Sequence, residues 1–542
     1  MRFARAPAAG CLALWLAAAG AWAQAPALPP FAALEAAGAR VGEISIVTQN
    51  VFDAQDPAED NALFRLANRV HVPTRPSVIR RALLFRSGEP VSARLVEETE
   101  RVLRAARYLH DVRIRPVAWR DGVVDIEVRT RDAWSLDPGI SAGRSGGASS
   151  SGIHVSEENL LGTGVSLGVA RSRNVDRTSN EIRFASERAF GSWTAIAAST
   201  ARSDDGGRDA FSVVRPFHAL DARWTAGVTA LRDNRIDAIY RAGEVESEYR
   251  HRERRIEAFG GWSAGLVDGW VQRWTLGASL QENAYAAEPA RAAPPRLPAD
   301  ETLAGPFVRW ELVEDRYDVE LNRNLIGRPE DFALGLAASV RLGWARGKSG
   351  PDPSALLYAL GLARGGEPRD GHTLLASATL DGRVRDRQAE RQRLSAQARW
   401  YVRQSRRWLF FASAGLDALT RPEIGDDLTL GGDNGLRGYP LRYQGGHRRA
   451  LFTVEERYFT DLYVWRLFRI GAAAFVDTGR AWGGAQTHPR DAGWLGNAGM
   501  GLRIVSARAA FGNVLHLDVA VPLRPADDIR RVQWLVKTRV SF

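Results

Sequence analysis

From about Trp134 to its last residue the chain alternates apolar and polar residues in short runs, and the polar side is densely charged. The final run, RVQWLVKTRVSF, is the clearest. Val532, Trp534, Val536, Thr538, Val540 and Phe542 fall on one side of an extended strand, and Arg531, Gln533, Lys537, Arg539 and Ser541 on the other. The split recurs upstream: Leu515, Leu517, Val519 and Val521 oppose His516 and Asp518, and Leu394, Ala396, Ala398 and Trp400 oppose Arg393, Gln397 and Arg399. Ala222, Trp224, Ala226 and Val228 likewise oppose Arg223 and Thr225.

A soluble sandwich also alternates, but its strands do not keep charged residues on the second face with aromatics near the strand ends. The runs are close to the ~9 to 11 residues that let a tilted strand cross a bilayer. In lipid an open sheet edge is intolerable, so such strands must close into a ring. The sequence therefore predicts an antiparallel transmembrane β-barrel over residues 134–542, with sixteen strands at about 25 residues each including their loops.

The opening residues carry the three zones of a secretory signal over 1–23: Arg2 and Arg5, the apolar run Leu12 to Ala19, then Ala21-Trp22-Ala23. The single cysteine, Cys11, lies inside it, so disulfide and thiolate chemistry are excluded from a mature chain. After it no stretch reaches the ~18 apolar residues of a membrane helix. The formal charge is +10, but 73 Lys and Arg interleave with 63 Asp and Glu without a long single-sign block. Solvated faces, not a nucleic-acid partner, account for that pattern.

Residues 24–38, rich in Ala and Pro, read as a tether. Residues 39–133 read as one α+β domain of β-α-α-β-β order. A strand at Val41–Val47 leads to a helix over Pro76–Phe85 and a second helix capped by Ser92, with Leu95, Val102, Leu103 and Ala106 as its apolar stripe. Strands at Val112–Trp119 and Val123–Thr130 follow, joined by the turn Arg120-Asp121-Gly122.

Within the barrel region, GWSAG around Ser263 matches a nucleophile-elbow pattern, but the residues after it read as turn and strand where that chemistry needs a helix. The nine histidines show no ligand spacing. The sequence predicts no enzyme, no catalytic residue, no cofactor and no metal.

The stretch LTLGGDNGLRGYPLRYQGGHRRALFTVEERYF, Leu428 to Phe459, is different. Its glycines let a loop turn back sharply, and Arg437 stands among them. Alternation in GAAAFVDTGRAW sets Phe475, Asp477 and Gly479 on the wet face, and LFTVEERYF puts Glu455 there too. A loop that folds into the lumen would bring Arg437 to these carboxylates; a solvated arginine and acids with other partners is the competing reading.

GGDNGLRGYP, VEERY and FVDTGRAW, with a terminal strand ending in Phe542, resemble the BamA/TamA outer-membrane protein superfamily, which includes the two-partner secretion translocators. RRALLFRSGEPVSARLVEETERVLRAARYLHDVRI looks like its periplasmic POTRA module, a single copy where relatives carry several, and ENLLGTG at 158–164 is similar to its early barrel hairpin.

The resemblance implies a loop latch of Arg437, Gly438 and Tyr439 on the lumen acids Asp477 and Glu455, a strand motif holding Phe475 and Gly479, and a C-terminal targeting signal at Phe542. It further implies a client-binding POTRA edge at Val112, Ile114 and Val117, and a weak seam between Trp134–Gly143 and Gln533–Phe542.

The implied location is the outer membrane with the POTRA unit in the periplasm. The implied partners are the lipid bilayer, unfolded client polypeptides and periplasmic accessory proteins. The implied function is protein insertion or polypeptide translocation. The alternatives are a two-partner-type exporter of haemolysins or adhesins and a passive porin-like channel.

Overall fold

A computed structural model describes residues 28–539 except 242, 290, 348–353, 485–492 and 510–512. The expected signal at 1–23 and Phe542 lie outside the described residues.

The first unit is an α+β domain. Its strands β1 (Arg40–Gln49), β2 (Leu109–Arg120) and β3 (Val123–Asp132) form one sheet in the order β1-β3-β2, with β1 parallel and β2 antiparallel to the central β3. Helices α1 (Phe31–Ala36), α2 (Ala62–Val70), α3 (Pro76–Arg80) and α4 (Ala93–Arg104) complete it. Ser92 caps α4 by accepting from the Leu95 amide at 3.4 Å. Val96 and Leu103 on that helix pack with Ile79, Val112, Ile126 and Val128, each burial contributing about 1.5–3 kcal/mol. Two features depart from expectation. Part of the expected tether is α1, whose Leu34 is buried in this core, and α2 is a further helix that the β-α-α-β-β order did not include.

The second unit is a closed antiparallel barrel of twenty strands, not sixteen. Its first wall is β4 (Leu136–Ser145), β5 (Ala148–Glu157), β6 (Val165–Arg173), β7 (Thr178–Ala189), β8 (Thr194–Ser203) and β9 (Gly206–Arg215). Then come β10 (Trp224–Arg241), β11 (Glu244–Val267), β12 (Trp270–Ala287) and β13 (Glu301–Glu314). A hairpin of β14 (Tyr317–Leu321) and β15 (Pro329–Ala333) interrupts the wall.

The wall resumes with β16 (Ala337–Gly347), β17 (Ala355–Gly366), β18 (His372–Arg385), β19 (Gln388–Arg403) and β20 (Trp408–Thr420). A long loop carries β21 (Leu428–Leu430) and β22 (Gln444–Gly446) before β23 (Arg448–Val464), β24 (Phe468–Trp482), β25 (Leu495–Ser506), β26 (Val514–Pro522) and β27 (Gln533–Arg539) close the ring.

The extra strands come from the amino-terminal wall. There strands of only 9 to 12 residues are joined by tight turns such as Gly146-Gly147, where φ is +55° and +84°. A budget of about 25 residues per strand overlooked how short such a unit can be.

Outward residues are apolar: Ile153, Val155, Leu167, Val169, Ile182, Leu276, Leu362, Val454 and Met500 are all exposed. Trp224, Trp262, Trp274 and Trp310 stand opposite one another on successive strands near the end where the domain sits. Such a band with an aromatic row at its border matches a lipid-facing barrel wall.

The domain docks under this end. Arg104 makes two hydrogen bonds to Asp331 of the β14–β15 hairpin, at 3.0 and 2.7 Å. Glu98 accepts from the Leu220 amide at 2.7 Å, and Arg94 pairs with Asp221. The ENLLGTG segment forms the β5–β6 connection, where the Asn159 side-chain nitrogen donates to the Thr74 hydroxyl at 2.8 Å. Gly162 is required there, since a Cβ would stand 2.3 Å from the Pro73 carbonyl oxygen.

Candidate functional site at the barrel seam

The 421–447 loop starts at the end of the barrel away from the domain and folds inward. Its short ladder, Leu428 opposite Gly446 to Leu430 opposite Gln444, stiffens the descent. Leu430, Leu436 and Tyr439 are fully buried with Ala481, Leu495 and Ile529. The Tyr439 hydroxyl donates to the Gly496 carbonyl at 3.0 Å.

The tip carries Arg437 to the wall. Its Nε and Nη2 donate to the two oxygens of Asp477, both at 2.8 Å, a bidentate pairing. Nη1 lies 3.0 Å from Glu455 and 3.7 Å from Asp518. The guanidinium also sits 3.3 Å from the centre of the Phe475 ring. Asp477 is held on its other side by Thr453 at 2.9 Å and Asn497 at 2.8 Å. Burial alone would weaken the Arg437 proton, but Asp477, Glu455 and Asp518 outweigh it and raise the pKa above the ordinary arginine value.

Two glycines make the approach possible. A Cβ at Gly438 would stand 2.6 Å from that of Asn497, and one at Gly479 would stand 2.8 Å from the Ala450 carbonyl and 3.1 Å from Leu430. The structure thus brings Arg437, Gly438, Asp477, Glu455, Phe475 and Gly479 into one cluster, with Tyr439 anchoring the loop beside it.

The cluster extends further than the sequence indicated. Glu455 also accepts from Arg457 Nε at 2.9 Å, and Arg457 Nη1 donates to the Arg323 carbonyl at 2.9 Å. Arg323 belongs to the β14–β15 hairpin, which enters the lumen from the domain end. Its neighbours Leu325 and Ile326 pack with Tyr401, Phe411 and Phe459 of the wall. Two inward segments from opposite ends therefore meet through one glutamate. Nothing in the alternation of 317–333 marks it as an inserted hairpin, because it reads as two more short strands.

The loop also grips the place where the ring closes. Among the described residues β27 and β4 share one ladder partner, Val536 opposite Arg144, whereas β26 and β27 share seven. Ser145 Oγ donates to the Gly432 carbonyl, and the Leu441 amide donates to Gly146 at 3.1 Å. From the other lip, Lys537 Nζ donates to the Asp433 carbonyl at 2.8 Å. Farther along, Arg442 makes a bidentate pair with Asp176 at 3.0 and 2.9 Å over the Tyr240 ring. Pro138 inside β4 removes one donor from that strand.

Beside the seam the lumen is open. By alternation, β4 to β9 turn Ser141, Gly152, Ser156, Ser166, Gly168, Ala170 and Ser199 inward, and a cavity of about 970 Å³ lies against them, reaching Arg107 and Tyr108 of the domain.

The proposed client edge is more restricted. Strand β2 is at the sheet edge, yet Val112 and Ile114 are buried in the domain core and only Val117 is exposed. The Ile114 amide already donates to Glu100 at 2.7 Å, and the Leu109 carbonyl accepts from Arg328 at 3.1 Å. The stretch from Pro116 onward is the part left accessible. Ser263 sits within β11, donating to the Gln272 carbonyl at 2.7 Å and accepting from the Gly265 amide at 3.0 Å. It is a turn-bracing hydroxyl.

No protein-family model matches the sequence, and no curated protein matches it. Among solved structures the chain is similar to CdiB from Escherichia coli, at 12% identity over 92% of this chain and 76% of that one, with a TM-score of 0.47. It is also similar to BamA from Haemophilus ducreyi lacking POTRA domains 1–3, at 14% identity over 92% and 85%, TM-score 0.41. A third is the FrpB iron transporter from Neisseria meningitidis, at 9% identity over 76% and 84%, TM-score 0.40.

Proposed function

We propose that the chain is an outer-membrane protein that inserts or translocates other polypeptides, with its α+β domain acting as a periplasmic POTRA-type unit. The observation that carries this reading is the seam: among the described residues a single ladder partner, clasped from both lips by a loop whose arginine is buried among carboxylates. A wall meant only to enclose a pore gains nothing from a weak closure, because each missing backbone pair in lipid is costly.

In this reading a client strand first adds to the free part of β2 by backbone hydrogen bonds. It then enters the open half of the lumen or pairs with the parted edge of β4 or β27. Arg437 seats the loop and keeps the seam closed between clients. No covalent step is involved. Buried segments entering the lumen from both ends weigh against a passive channel.

A photocrosslinker placed at Val117 in cells, combined with bilayer recordings of the purified protein, separates the readings. Capture of unfolded polypeptide at Val117 and a mostly closed conductance are expected. Steady conduction with no polypeptide captured would leave the porin-like alternative standing and remove this one.

A further inference from the structure

Helix α2 presents three distinct faces. One is docked: Phe64 is buried and stacked on Phe52 with ring centres 3.9 Å apart, and Asn68 bonds the Phe52 backbone in both directions at 3.1 and 2.8 Å. The cap is closed by Asn61, which accepts from the Phe64 amide at 2.9 Å. This helix is therefore fixed in orientation.

The second face is apolar and uncovered. Leu63, Leu66 and Val70, at helical spacing, are 63%, 53% and 59% exposed. The third carries Arg65, already paired with Asp60 at 2.5 Å, and the exposed Arg69. An apolar ridge flanked by arginines on a helix that cannot rotate is the arrangement of a segment lying in a membrane interface.

What covers the ridge follows from what holds the helix. The cluster of Val51, Phe52 and Phe64 packs on Leu467 and Trp134, where the barrel meets the domain. Arg508, between β25 and β26, reaches the Val51 carbonyl at 3.4 Å and the Tyr463 hydroxyl at 3.1 Å, and pairs with Glu59. Near the end of β23 Leu462 is 57% exposed, and on the β23–β24 connection with Leu467 Trp465 is 77% exposed. These lie at the barrel end that bears the tryptophan row of β10 to β13, and α2, packed through Phe64 on Leu467, is at that same end. We propose that α2 is an interfacial foot, with Leu63, Leu66 and Val70 seated in the periplasmic leaflet around the barrel and Arg65 and Arg69 at the level of the lipid phosphates. This rests on the membrane-barrel reading above. It gives the domain a second attachment, to lipid, beside its attachment to the barrel rim.

The test uses the full-length protein with Cys11→Ser, reconstituted into vesicles of phosphatidylethanolamine and phosphatidylglycerol containing nitroxide-labelled lipid. A fluorophore is attached at Leu66→Cys, Trp465→Cys or Asp121→Cys in separate preparations. Quenching at positions 66 and 465 and none at 121 is expected, and adding Leu63→Glu and Val70→Glu should cut the quenching at 66 several-fold. An unquenched label at 66 beside a quenched one at 465 overturns the foot and leaves the barrel reading intact. If 465 is also unquenched, the membrane-barrel reading falls and the foot with it. A label at 66 shielded only after periplasmic extract is added would assign the ridge to a protein partner and overturn the lipid assignment.

Discussion

The two halves of the lumen are built to opposite specifications. From β18 to β27 the inward side chains are long, charged and buried: Arg383, Glu455, Arg457, Asp477, Arg503, His516 and Asp518 are almost wholly out of solvent. From β4 to β9 they are largely serine, glycine and alanine, and apart from glycines the buried residues there are few: Ser145, Asn159 and Ala189. One half is cross-linked through its interior by buried ion pairs; in the other the ion pairs are fewer and more exposed, such as His154 with Asp137 at 2.8 Å. The seam joins a heavily braced edge to one held mainly through Ser145 and Gly146, so in the proposed role motion on opening would fall to the β4 side.

The largest expected effect comes from removing the brace. Arg437→Ala leaves Asp477, Glu455 and Asp518 buried without that cation, a loss of about 3–5 kcal/mol by the usual cost of breaking a buried pair. It should show as a lower temperature for loss of the compact electrophoretic form. Arg437→Lys should recover only part, since an ammonium cannot reproduce the two parallel hydrogen bonds. A normal melting profile for the alanine variant would make the latch ornamental.

Next is the seam itself. Oxidising an Arg144→Cys, Val536→Cys pair should stop client transfer until reductant is added. The control pair Val454→Cys with Val476→Cys, opposite each other within the braced half, should leave transfer unchanged. Equal effects from both pairs would erase the distinction between the halves.

Steric changes sharpen it further. Gly479→Ala places a methyl 2.8 Å from the Ala450 carbonyl and should destabilise by about 1–3 kcal/mol. Ser199→Trp, facing the cavity, should stay within about 0.5 kcal/mol of the parent while reducing conductance in bilayer recordings.

The smallest effect is on pH. Burial, helped by Arg328, Arg508 and Arg131 and opposed by Asp111, lowers the His110 pKa from 6.5 to about 4. The docked domain thus keeps His110 neutral where the unfolded chain would bind a proton. That contribution to stability is complete above about pH 6.5 and is lost as pH falls toward about 4. Protease release of the domain should rise on acidification across that window, and His110→Gln should flatten the rise.

The amino-acid pattern made some of this legible and hid the rest for physical reasons. Strand faces follow from a period of two, so the inward direction of Glu455 and Asp477 could be read directly. Arg437 stood out because glycines surrounded it. Strand number was not readable, because β4 and β5 are so rich in glycine and serine that alternation there carries little contrast. The hairpin partner of Arg457 was hidden too, since it contributes a backbone carbonyl, which every residue owns. Nor could the pattern reveal that Ser145 and Lys537 hold the same loop, since their partners there, Gly432 and Asp433, lie 287 and 104 positions away and offer only backbone carbonyls.

Glu455 serves two masters at once, one oxygen facing Arg437 of the outer loop and the other Arg457, which holds the inner hairpin. Should the outer loop lift away, Glu455 would keep its hydrogen bond from Arg457, so the anchor of the inner hairpin does not depend on the loop. Should the hairpin withdraw, Arg437 would keep Asp477 as well as Glu455. Each inward segment thus has its own anchor around a shared carboxylate, so in the proposed role one could be released while the other still obstructs the lumen.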